Sequence, residues 1–158
     1  MPTHVFQPSR NPPTWWDRLL VHPLDTTVAF ISVVFGTIVI LSALIPVFVP
    51  SKSIDKFPFW VAVAVAIFLV AGGLLAIIGL NWPGNEVDHG WALERFGWML
   101  SSGGLITYAL TVGYSYIGSV FSWGIPLMLG IGCVIRVISV QKIEETTRKD
   151  IAEVHGEQ

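Results

Sequence analysis

The sequence predicts an all-α integral membrane four-helix bundle, and three observations carry that expectation. Four long apolar runs, 26–49, 57–80, 96–114 and 116–140, occupy most of the 158 residues. The first three contain no Asp, Glu, Lys, Arg or His, and Arg136 is the only charge in the fourth. The runs are also apolar on every side, as in 59–70, where a soluble helix would alternate polar and apolar faces. An uncharged run of about 18 or more residues crosses about 30 Å of hydrocarbon as a helix, with every backbone polar group satisfied internally. The 53% hydrophobic and 13% charged composition points the same way. The abundance of Val and Ile alone would allow buried strands, but runs of this length without turn residues at strand spacing do not.

The elements follow in chain order. Residues 1–25 form an amino-terminal cytoplasmic or interfacial segment, Pro-rich and polar, with no apolar core or small-residue cleavage site. The first span is therefore expected to act as its own uncleaved insertion signal. Within this segment, 14–21 predicts a short helix in the membrane surface. Thr14 would cap it and Asp17 would sit in its first turn, with Trp15, Trp16, Leu19 and Leu20 toward lipid. Pro23 breaks the chain, and Asp25 is expected to cap span one. That role is preferred to a metal or proton-relay role with His22, because no third ligand is near. In the second connection, Glu86, Asp88 and His89 match no metal-ligand spacing, and the Pro83-Gly84 turn reads as a solvated loop. Glu94 and Arg95 then open span three, where a rim contact of small worth is expected between them. Pro126 is expected to bend span four. Beyond residue 140, Glu144/Arg148 and Glu145/Lys149 stand at helical spacing, so the fourth helix should continue into a charged cytoplasmic tail, 141–158.

Charge sets the expected orientation. Arg10, Arg18, Arg95, Arg136, Lys142, Arg148 and Lys149 fall on one side, and only Lys52 and Lys56 on the other. The excess of basic residues marks the cytoplasmic side, so both termini are expected there. An even number of spans requires the same. Trp15, Trp16, Trp60, Trp82, Trp91 and Trp98 lie near the span ends. They are read as interfacial anchors, since an apolar ring and a polar N–H each find a suitable solvent at the headgroup boundary.

Span three carries the most organised pattern. Gly97, Ser101, Gly104, Tyr108, Thr111, Ser115 and Gly118 recur at steps of three and four, a stripe of small or hydroxylated residues along one helical face. Small residues let backbones approach closely, and hydroxyls can bond across the contact. The stripe either packs the bundle internally or lines water and mediates assembly between copies. Ala62, Ala66, Gly73 and Ala76 offer a weaker counterpart on span two.

Several function classes lack their residues. Proton-coupled transport calls for an ionisable group within the membrane. The single cysteine, Cys133, cannot form a CxxC pair and reads as a small packing residue. His4, His22, His89 and His155 all lie outside the spans, where haem ligation is not expected. No nucleophile–base pair is evident, so neither catalysis nor a cofactor or metal is expected. No basic run is dense enough for nucleic acid.

Two segments carry a resemblance: Trp15-Trp16-Asp17-Arg18-Leu19-Leu20 with His22-Pro23-Leu24-Asp25, and Gly90-Trp91-Ala92-Leu93-Glu94-Arg95-Phe96-Gly97-Trp98. Together with the span layout they resemble small four-span proteins of actinobacterial phages, several of which are treated as holins or holin-like. The resemblance implies permeabilisation of the host cytoplasmic membrane at lysis, by accumulation and lateral assembly of a homo-oligomer in the lipid bilayer. The rival expectation is a non-enzymatic interaction protein with a membrane-protein partner, such as a superinfection-exclusion factor or an accessory subunit. The hydroxyls of span three leave a small solute channel as a third.

Overall fold

The computed structural model describes residues 21–45, 47–48, 54, 57–82 and 87–156. Among these residues the chain forms four α-helices: α1 (Pro23–Leu44), α2 (Phe59–Leu80), α3 (Val87–Ser115) and α4 (Val120–Gly156). Three of them, α1, α2 and α4, are long and apolar enough to cross a membrane. α3 is also long, but Ser101, Ser102, Thr107, Tyr108 and Thr111 interrupt its apolar stretch. The expected interfacial helix, with Trp15 and Trp16, lies outside the described residues except for Val21. So do Lys52, Lys56, Pro83, Gly84 and Glu86.

Local chemistry places the helix ends. Pro23 opens α1, where a fixed φ and a missing N–H do no harm. α1 stops five residues earlier than the apolar run because Ile45 precedes a proline, which disfavours the helical region; Ile45 is extended at φ −115°, ψ 98°. Pro58 is the residue before α2. At the other end Asn81 Nδ2 donates to the Ile77 carbonyl at 2.9 Å, satisfying one of the orphan acceptors. α3 begins nine residues before the predicted span, because helical geometry does not require the chain to be apolar and Glu94 and Arg95 sit well within it. Residues 116–119 form the tight connection to α4, with Ser119 N–H donating to the Tyr116 carbonyl at 3.0 Å. The fourth helix therefore starts at Val120 and not at residue 116. It continues through Pro126 for 37 residues, about 55 Å at the standard rise.

α2 lies between α1 and α3, and α3 lies between α2 and α4. The buried positions follow from that order. α1 buries Ala29, Ser32, Gly36 and Val39, one face at steps of three and four. α2 buries Ala62, Val65, Ala66, Leu69, Gly72, Gly73, Ala76 and Gly79, enough for two faces. Gly72 and Gly73, adjacent in sequence, point to different neighbours. A Cβ on Gly72 would stand 2.6 Å from Ser101 N and Oγ of α3, while one on Gly73 would stand 2.6 Å from the Ala29 carbonyl of α1. Close backbone approach on two sides of α2 thus depends on missing side chains. Farther along, Tyr108 of α3 meets the Phe35 ring of α1 edge-on at 4.7 Å. α1 and α4 share no packed face of this kind.

Candidate functional site

Three helices bring their charges together at one end of the array. Asp25 stands in the first turn of α1, Glu94 two turns into α3, and Arg136 on α4 at the level where the apolar run gives way to the charged extension. Glu94 Oε1 accepts from Arg136 Nε at 3.0 Å and from Nη2 at 2.8 Å, and from Trp98 Nε1 at 3.3 Å. Asp25 Oδ2 lies 3.3 Å from the same Nη2 and 3.8 Å from His22 Nδ1. The Glu94 side chain is only 8% exposed. An ionised carboxylate at that depth costs several kcal/mol unless paired and hydrogen-bonded, and the guanidinium meets that need with two convergent donors. One turn of surface away, Arg95 Nη1 reaches Glu144 Oε2 at 3.3 Å, so α3 and α4 are joined twice.

This cluster corrects two expectations. Asp25 is not the cap of α1: it sits inside the first turn, makes no capping hydrogen bond and turns to Arg136. Glu94 and Arg95 do not pair with each other, because successive helical residues point about 100° apart, and each takes a partner on α4. Trp98, expected at the membrane boundary, is 1% exposed and donates to Glu94 one turn before it. Of the other expected anchors, Trp60 is 78% exposed at the start of α2. Trp82 and Trp91 are half-buried, with the Trp82 ring stacked on His89 at 6.4 Å.

A sequence signal for the cluster existed. An Arg within an apolar run needs a carboxylate, and Asp25 and Glu94 are acidic residues flanking spans at the same predicted side. What the sequence could not supply was which carboxylate faces inward.

The α3 stripe divides in two. Gly97, Ser101, Gly104 and Tyr108 are buried within the chain. Gly97 faces the Ala76 backbone, and a Cβ on Gly104 would stand 2.8 Å from Leu69 Cγ, so this half is the α2–α3 contact. Thr111 is half-buried, Ser115 is exposed, and Gly118 falls in the connection to α4 and not on the helix at all. The hydroxyls do not bridge helices as expected. Thr111 Oγ1 donates to the Thr107 carbonyl at 2.8 Å and Ser102 Oγ to the Met99 carbonyl at 2.8 Å, both on α3 itself, while buried Ser101 Oγ has no partner. Cys133 is buried on α4 as a free thiol.

The groups that converge are two carboxylates and one permanent cation, with His22 beside Asp25. No protein-family model, curated protein or solved structure matches the chain.

Proposed function

We propose that the chain is a holin-like phage membrane protein. In this reading all four helices cross the host cytoplasmic membrane, both termini lie in the cytoplasm, and copies self-associate to permeabilise the membrane at lysis. The observation that carries it is the uncovered side of α4. Among the described residues this helix packs chiefly on α3, touching α1 through Arg136, and Phe121, Ile125, Met128 and Ile135 on it are each more than half exposed. Gly124 lies among them, where an added Cβ would meet only Val120 of the same helix, at 3.7 Å. In lipid, helices associate through close packing at small residues, and Gly124 is not used for that purpose among the described residues. The small-residue face of α2 and α3 is already filled from inside, so assembly between copies would use α4.

Membrane placement of α3 is supported by its position between α2 and α4 and by the burial of Ser101, Ser102 and Tyr108 within the array. Orientation is supported by the placement of seven of the nine basic residues on one side of the predicted spans. No active site or cofactor is required, since lesions form by lateral assembly.

Induced expression in a bacterial host should arrest growth and collapse the membrane potential abruptly, as read by a potential-sensitive dye. Gly124→Leu should delay the collapse and reduce cross-linked oligomers in the same membranes. Harmless accumulation to high levels would sink the permeabilisation reading. Accumulation together with stable co-purification of one membrane partner would establish the interaction-protein reading in its place.

A further inference from the structure

The seam between α1 and α4 is not sealed. Below the Asp25–Arg136 contact lies a cleft of about 190 Å³. Val28 of α1 and Met128, Leu129 and Gly132 of α4 form its walls, with Trp98 of α3 behind. Its apolar length runs into the array, and its charged end lies level with the first turn of α1. That is the depth at which headgroups meet a spanning helix.

Two features of the cleft are unexplained by the fold alone. A Cβ on Gly132 would meet nothing within 4 Å, so the glycine serves no helix contact among the described residues. A glycine inside a helix is less favourable than alanine, and here its effect is to keep the cleft open. The charged end is also incompletely paired. Arg136 engages Glu94 and Asp25 through Nε and Nη2, leaving its Nη1 edge without an acceptor among the described residues. Asp25 Oδ2 has contacts only at 3.3 and 3.8 Å, which leave most of its acceptor capacity open. Two carboxylates face one guanidinium, so the end carries an excess of one negative charge when His22 is neutral.

We propose that this cleft binds one phosphatidylethanolamine molecule, with an acyl chain along Val28, Met128, Leu129 and Gly132, the phosphate on Arg136 Nη1 and the ammonium on Asp25. The headgroup offers the donor and the acceptor that the end lacks, in one molecule with no net charge. Phosphatidylglycerol would add a negative charge to a site already negative and brings no cation for Asp25. The surrounding bilayer supplies the ligand at high local concentration. The inference shares the membrane residence of the reading above but not its lesion-forming step.

The test is native mass spectrometry of the full chain, extracted in mild detergent after reconstitution in vesicles of equal parts phosphatidylethanolamine and phosphatidylglycerol. The wild-type chain should retain one phosphatidylethanolamine in clear excess over phosphatidylglycerol. Asp25→Asn should lower that preference about tenfold, the loss expected for one charge-assisted hydrogen bond. Gly132→Leu, which fills the cleft, should abolish retention, whereas Gly124→Leu, about two turns away on the same helix and not lining the cleft, should not. Circular dichroism and monodisperse elution report whether each variant folds, and Asp25→Asn decides the matter if Gly132→Leu does not. Equal retention of both lipids, unchanged retention in Gly132→Leu, or a cross-link placing a second copy against Val28 would overturn the proposal. Each readout is independent of toxicity, so loss of lipid retention with lysis intact would sink this inference alone.

Discussion

Arg136 is the residue on which the charged end of the array turns. Its side chain is 20% exposed and holds Glu94 by two hydrogen bonds, at 2.8 and 3.0 Å, and Asp25 by one longer contact at 3.3 Å. Removing it leaves two carboxylates without their cation, one of them nearly buried. Arg136→Met should therefore destabilise the chain by about 3 kcal/mol, the usual cost of stranding a buried charge. The triple variant Asp25→Asn, Glu94→Gln, Arg136→Met strands nothing and should recover most of that loss. Denaturant unfolding in detergent micelles measures both. Equal losses in the single and triple variants would show that packing by the Arg136 stem, and not pairing, is what matters. The residue scale is also where sequence reading was weakest. Asp25 has the right type and place for a helix cap, and Trp98 the right type and place for an interfacial anchor. Both were taken up by Arg136 and Glu94, whose positions are set by helices elsewhere in the chain.

At the scale of elements, α2 is the packed centre, and its glycines divide by neighbour. Gly72→Ala would drive a methyl into the Ser101 backbone and should cost about 1–3 kcal/mol, the range for overpacking a filled contact. Gly132→Ala, with open space around it, should leave stability unchanged or raise it by less than about 1 kcal/mol through helix propensity. Thermal unfolding followed by the helical signal compares the two, and equal effects would mean that close approach at Gly72 contributes nothing. Much at this scale was legible beforehand. Gly97 of the α3 stripe does seat against Ala76 of α2, but Gly73, expected on the same α2 face, turns to Ala29 of α1. The expected stripe loses its packing role toward the end of α3, where Ser115 is exposed, and Gly118 keeps the three-and-four spacing only after the helix has ended.

At the scale of the whole molecule, the proposed topology places residues 116–119 and the end of α4 on opposite sides of the bilayer. In a Cys133→Ala background, Ile117→Cys should react with a membrane-impermeant maleimide in intact cells, and Glu145→Cys only after the cells are opened. Ile117 is 80% exposed and Glu145 is exposed, so access within the chain does not limit either reaction. Labelling of both variants in intact cells, before any lesion forms, would defeat the orientation derived from the basic residues.

The sequence by itself determined the helical class, the long apolar runs and the small-residue character of the α3 face. Each is a local property, carried by composition or by a period of three to four residues. Only the tertiary structure decided that Glu94 turns inward to Arg136, 42 residues away, that Asp25 joins them, and that α1 and α4 are left with a cleft between them. Such pairings depend on the rotation and relative height of separate helices. Those are set by how glycines such as Gly72, Gly73 and Gly97 let the backbones seat against one another, and no spacing within a single segment encodes them.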